Sequence, residues 1–124
     1  MTLQSPIPHA EAPLDCQFCP RLAALRDSCR AEHPEWWNAP VPAFGDPNAR
    51  LVVVGLAPGK EGANRTGRVF TGDFSGDLLF ATLGKFGWAN GTYERRADDG
   101  LELRDVMVLN AVKCLPPQNK PLPQ

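Results

Sequence analysis

The feature that most constrains this chain is a β-branched run, Leu51-Val52-Val53-Val54, that empties into a segment holding five glycines and one proline between Gly55 and Gly72. Bounded by Arg50 and Gly55, the run is expected as a strand covered on both faces of an α/β sheet. Its exit is backbone that can come close to a ligand, because glycine carries no Cβ. Asp73 or Ser75 then caps a helix whose apolar positions Leu78, Leu79, Ala81, Leu83 and Phe86 suit packing against the sheet, with Gly87 ending it. The stretch from Trp88 to Gly100 is polar, Asp99-Gly100 is a turn, and Val106 to Val112 reads as a second buried strand that Pro116 and Pro117 stop.

Strand, glycine loop, helix and strand make a βαβ-like unit with a right-handed crossover. Such sheets bind ligands beyond their strand C-termini, which places the Gly55 loop and the Asn110 to Cys114 segment at one edge. Two strands do not make a stable sheet, and Lys120 to Gln124 lead onward from a loop, so the fold is expected to be incomplete on its C-terminal side. The 124 residues suit a single domain, with 1–14 as a flexible N-terminus, 15–50 as a cysteine, helix and proline-rich segment, and 51–124 as the α/β core.

In the N-terminal segment Leu22, Leu25 and Cys29 fall at helical spacing between Pro20 and Arg30, which leaves Arg21, Arg26 and Arg30 for solvent. From Glu32 to Pro47 the text turns to loop chemistry, with Trp36, Trp37 and Phe44 expected to pack down. Thirteen prolines argue against a helical bundle. Met1 to Leu14 has neither a basic start nor an apolar run, nothing approaches a membrane span, and a cytoplasmic location is the expectation.

A net charge of −1 gives no global support for binding a polyanion, so any such case is local: Lys60, Arg65 and Arg68 in the glycine loop, Lys113 and Lys120 around a second polar segment. Nucleotide hydrolysis is disfavoured. Gly55-Leu56-Ala57-Pro58-Gly59-Lys60-Glu61 is one residue short of a P-loop and ends in an acid where magnesium needs a hydroxyl. Cys16 and Cys19 have the spacing at which two thiolates reach one metal, Cys114 offers a third ligand, and Cys29 is either a fourth or a small core residue on its helix's apolar stripe. Zinc and an iron-sulfur cluster both fit this count.

Longer stretches carry a resemblance. Gly55 to Gly59, followed by Gly62-Ala63-Asn64-Arg65-Thr66-Gly67-Arg68 and Phe70-Thr71-Gly72-Asp73, resembles the first motif of the fifth family of uracil-DNA glycosylases. Asn110-Ala111-Val112-Lys113-Cys114 with Pro116 to Pro121 is similar to the segment carrying that family's third cluster cysteine, and Cys16 to Leu22 resembles its opening. The resemblance implies a parallel-sheet, three-layer glycosylase fold and a monomeric DNA-repair hydrolase. Such an enzyme flips uracil, or another deaminated base, out of DNA and cuts its N-glycosidic bond, leaving an abasic site.

By the same resemblance Asp73 orients water and offsets sugar charge, a task that Leu56 lacks the group to perform, while a plain helix N-cap is Asp73's other use. Phe70 stacks on the extruded base or is ordinary core, and Asn110 reads the base edge or makes a buried structural bond. Gly55, Leu56, Ala57, Pro58, Gly59, Asn64 and Arg65 complete the substrate-binding set, Asn64, Arg65 and Arg68 being able to touch phosphate or ribose. Glu61 reads as a surface carboxylate, and His9 and His33 receive no role. Cys16, Cys19 and Cys114 hold a 4Fe-4S cluster that braces the N-terminal segment, with the fourth ligand and a histidine motif beyond Gln124. Two rivals remain: a catalytically inactive DNA-binding remnant, and a metal-bearing interaction module that kept the loop.

Overall fold

The computed structural model describes residues 11–123; His9, residues 1–10 of the expected flexible terminus and everything from Gln124 on lie outside them. The first helix, α1, spans Pro20–Glu32, with Cys19 at its N-cap and Pro20 at the position where a missing N–H costs nothing. Its buried face is Leu22, Ala23, Arg26 and Cys29. The assignment of Arg26 to solvent is therefore wrong: it sits four residues after Leu22 and three before Cys29, on the apolar stripe itself. Residues 11–14 are tied down, since Glu11 accepts the Ala43 N–H at 2.9 Å and Arg30 Nη2 donates to Leu14 O at 3.0 Å.

A three-stranded sheet has the order β1-β5-β2, in which β1 is Phe44–Gly45, β2 is Leu51–Gly55 and β5 is Val106–Asn110. Strands β2 and β5 are parallel, with Gly55 opposite Asn110, and β1 adds an antiparallel edge that sequence reasoning missed. Between β2 and β5 the chain makes the short helix α2, Ala63–Thr66, and the longer α3, Phe74–Lys85. A small antiparallel pair follows, β3 at Ala89–Asn90 with β4 at Glu102–Leu103.

The core gathers Val41, Ala63, Val69, Phe80, Leu83, Leu101, Leu103, Val106 and Val108. Strand β5 is buried almost throughout, but β2 is not covered on both faces as expected: Val52 is 47% and Val54 60% exposed. Among the described residues β2 pairs only with β5, and only Val53 of its alternating side chains packs on the core. Helix α3 also differs from expectation. Its buried positions are Gly76, Phe80 and Leu83, whereas Leu78 and Phe86 face outward. Of the aromatic residues in the loop before β1, Trp36 stacks on His33, Trp37 lies against the open face of Gly67, and Phe44 meets Phe80 edge-on. Among the described residues no helix is long and apolar enough to cross a membrane.

Candidate active site

The site begins where two parallel strands end. Backbone pairing runs past the strands, Ala111 N–H donating to Gly55 O and Val112 N–H to Leu56 O at 2.9 Å, so the glycine loop and the 110–114 segment leave the sheet side by side. Gly55 has to be glycine here: a Cβ would lie 2.5 Å from Asn110 Oδ1 and 2.6 Å from Phe70 Cζ. The amide and the aromatic ring thus close over the same bare backbone. Asn110 is 3% exposed, and its amide, which opens onto the hollow, has no hydrogen-bond partner among the described residues.

Asp73 divides its two oxygens between two tasks. Oδ1 caps α3, accepting from the Ser75 N–H at 3.1 Å and from Ser75 Oγ at 2.6 Å. Oδ2 rests against the bare Cα carbons of Gly59 and Gly62, where a Cβ on either would collide with it, and no donor reaches it among the described residues. The helix cap fixes the carboxylate without consuming its second oxygen.

Between Asn110 and Asp73 the turn at Phe70 is strained, because Phe70 is a bulky residue at φ 54°. Several bonds hold it there. Thr66 Oγ1 donates to Thr71 O at 2.9 Å and Arg65 Nη2 to Gly72 O at 3.1 Å. The Tyr93 hydroxyl donates to Phe70 O and accepts the Gly72 N–H, each at 3.3 Å. Burial pushes the Tyr93 hydroxyl pKa above its ordinary value, with the Gly72 N–H pulling the other way, so it remains a donor at neutral pH.

Beneath this turn Arg68 is buried and forked onto Asp99, Nη1 to Oδ1 at 2.7 Å and Nη2 to Oδ2 at 2.8 Å, while Nε donates to Thr71 Oγ1 at 2.9 Å. Its guanidinium lies over the rings of Phe44, Phe80 and Tyr93 at 5.0, 5.6 and 5.7 Å. Asp99 also accepts the Glu94 and Leu101 N–H groups. Burial alone would raise its carboxyl, but Arg68 and those two N–H groups outweigh it and hold the pKa below the usual value.

Asp73, Phe70 and Asn110 line one hollow of about 290 Å³, together with Leu56, Ala57, Gly59, Ala63, Ser75 and Asn119. A larger hollow of about 580 Å³ lies between α3 and the β3–β4 hairpin, lined by Phe80, Tyr93 and the exposed Asp77–Arg95 ion pair. We place the site in the smaller one, which alone combines a free carboxylate oxygen, an aromatic face and an unpartnered amide. Ser75 and Asn119 were not foreseen; Asn119, at φ 58°, accepts the Lys60 N–H at 3.1 Å, a long-range bond that no local pattern reveals.

Other expected contacts are not brought to this hollow. Pro58 is buried behind the loop. Asn64 is buried and donates to Asn38 Oδ1 at 3.2 Å, and Arg65 Nε donates to Glu61 O at 2.7 Å. Arg68 is buried and committed to Asp99, so it is unavailable to phosphate. These side chains brace the loop.

Cys16 and Cys19 both precede α1, Cys19 as its N-cap, and Cys114 follows β5. Burial raises the Cys114 pKa, Arg26 lowers it, and Cys16 and Cys19 raise it further. Among the described residues no three His, Cys, Asp or Glu side chains are placed to hold a single metal ion. Cys29 is core: buried, its pKa raised by that burial, and about 15 Å along α1 from Cys19 by helix rise.

Comparison with known proteins finds relatives over most of the chain. The family model described as the Uracil DNA glycosylase superfamily matches residues 42–124. A Type-5 uracil-DNA glycosylase from Pyrobaculum aerophilum is 48% identical over 112 residues, covering 87% of this chain and 50% of that protein. One from Thermus thermophilus is 47% identical over 114 residues, covering 88% and 52%. A Type-4 uracil-DNA glycosylase from Thermotoga maritima is 36% identical over 81 residues, covering 64% and 34%. The chain thus spans about half the length of the Type-5 relatives it matches.

Proposed function

Because this chain belongs to the uracil DNA glycosylase superfamily, we propose that the protein excises uracil, and other deaminated bases, from DNA by turning the nucleotide into the hollow and hydrolysing its N-glycosidic bond. The observation that carries this reading is the convergence of Asp73, Phe70 and Asn110 on one hollow beyond the ends of two parallel strands. Phe70 offers a flat face to a base that has lost its stacking neighbours. The Asn110 amide, unpartnered and open to the hollow, supplies a donor and an acceptor to a pyrimidine edge.

As the bond between sugar and base breaks, its electron pair leaves with the base and positive charge develops on the sugar. Asp73 Oδ2, held by the helix cap on its sister oxygen, offsets that charge and orients the water that adds to the sugar carbon. That water gives up one proton, the departing base anion takes one up on the nitrogen that held the sugar, and an abasic sugar remains. Uracil release from DNA by the protein at its natural full length tests the reading. Asp73→Ala is expected to lower the rate by at least about a hundredfold with the fold intact, the usual loss when such a stabilising group is removed. An unchanged rate would overturn the assignment, and DNA binding without abasic product would favour an inactive remnant.

Cys16, Cys19 and Cys114 are proposed as three ligands of a 4Fe-4S cluster. The Cys16–Cys19 spacing and the electrostatic reach of both to Cys114 support this. The cluster would tie the start of α1 to the segment leaving β5 and so brace the site from outside. The four free thiols also support a reducing, cytoplasmic setting.

A further inference from the structure

Among the described residues, the hollow assigned to base and sugar is lined by the Asp73 carboxylate and by no cation. A nucleotide seated there carries a phosphate on each side of its sugar, and a lone carboxylate repels both. With a net charge of −1 the chain has no general surplus of cations to offset that repulsion. Positive charge therefore has to stand at the rim of the hollow.

Three of the five cations that the sequence places around the site are spent elsewhere. Arg68 is forked onto Asp99, Arg65 donates to Glu61 O and Gly72 O, and Lys113 faces Glu11 at 4.0 Å. Lys60 and Lys120 differ from these. Both are exposed, and both are brought to Asn119, which lines the hollow. Asn119 Oδ1 accepts the Lys60 N–H at 3.1 Å, and Lys120 follows Asn119 in the chain. Gln118 and Asn119 sit at φ 56° and 58°, two successive non-glycine residues in left-handed backbone, so the turn is held in a strained shape at this spot.

This turn borders a second hollow of about 270 Å³, and Asn119 lines both. The lining of the second has the opposite character: Lys60 and the Gln118 amide are its polar groups besides Asn119, and no carboxylate joins them among the described residues. The Gln118 side chain has no hydrogen-bond partner among the described residues. Lys60 Nζ has one acid near it, Glu32 at 3.9 Å, and both side chains are largely in solvent. Such a pair contributes little, so a phosphate, which lysine binds as a point charge, can take the place of the carboxylate.

We propose that the second hollow is a phosphate subsite, in which Lys60 and the Gln118 amide hold the DNA phosphodiester next to the extruded nucleotide and Glu32 is the anion that this phosphate displaces. The inference rests on the glycosylase reading given above and adds the contact that seats the backbone of the uracil-bearing strand. Lys120 adds positive charge on the same turn.

The test measures the affinity of the full-length protein for duplex DNA holding a uracil nucleotide with an uncleavable sugar–base bond, over a series of salt concentrations. In Lys60→Gln the affinity is expected to fall, and the slope of log affinity against log salt to flatten by about 0.9, the value for one neutralised phosphate. Glu32→Gln is expected to raise affinity at low salt in the wild-type background and to leave it unchanged in Lys60→Gln. Lys113→Gln, whose charge faces Glu11, is expected to keep the wild-type slope. Lys60 is half exposed and Glu32 more so, and thermal melting checks that their variants keep the fold. An unchanged slope in Lys60→Gln, an equal flattening in Lys113→Gln, or a gain in Glu32→Gln that survives the loss of Lys60 would each overturn the proposal. Uracil release by the wild type is measured on the same preparation: release alongside any of these three results overturns the subsite alone, whereas no release overturns the reading beneath it.

Discussion

Arg68 and Arg26 are each 4% exposed, yet one is surrounded by partners and the other is short of them. Arg68 spends its guanidinium on both oxygens of Asp99, on Thr71 Oγ1 and on three aromatic faces. Arg26 makes a single bond to Cys16 O. Burying a guanidinium is costly in both places. Where the cost is met inside the chain, as at Arg68, the arginine belongs to the scaffold, and it holds the strained turn that carries Phe70 and Asp73. Where it is not, as at Arg26, a poorly satisfied cation stays on the inner face of α1.

Breaking the completed site should do the most damage. Asp99→Ala leaves Arg68 buried and unpaired, with an expected loss of about 3–5 kcal/mol in urea unfolding. Because the folded pKa of Asp99 is lowered, its contribution is fully present above the unfolded value of about 3.9 and is lost as pH falls through the folded one. The gap between wild type and Asp99→Asn should therefore stay constant from neutral pH to about pH 5 and narrow only in stronger acid.

Tyr93→Phe removes only the hydroxyl that ties Phe70 O to the Gly72 N–H, for an expected loss of about 1 kcal/mol. The same change should slow uracil excision with little change in DNA affinity, which single-turnover and binding measurements would separate. The smallest effect belongs to the incomplete site. In metal-free protein Arg26→Met should cost under about 1 kcal/mol or even stabilise, since an apolar stem replaces a poorly satisfied cation. A loss as large as that of Asp99→Ala would erase the contrast.

Much of this was legible in the sequence because it is local. The Leu51–Val54 run marks β2, the glycines after it mark the loop, and Asp73 before Ser75 marks a helix start. Gly55, Phe70, Asp73 and Asn110 could be grouped because two parallel strands bring their ends together. What was missed depends on partners distant along the chain. Composition gives the hydrophobicity of β2 and not its number of neighbours, so its exposed Val52 and Val54 were read as buried. In α3 the stripe through Gly76, Phe80 and Leu83 was hidden by the stronger apolarity of Leu78 and Phe86, which face out. Charge alone sent Arg26 to the solvent and Arg68 to a phosphate, although the spacing of Leu22, Arg26 and Cys29 already put Arg26 on the inner face.

The central claim, that Asp73, Phe70 and Asn110 share one base-and-sugar hollow, is tested most directly by a crystal structure of the full-length Asp73→Asn protein on uracil-containing duplex DNA. Uracil is expected out of the stack and flat on Phe70, its edge within hydrogen-bonding distance of the Asn110 amide and its sugar carbon facing residue 73. Uracil bound in the larger hollow beside Tyr93 and Arg95, or a sugar turned away from residue 73, would contradict the account.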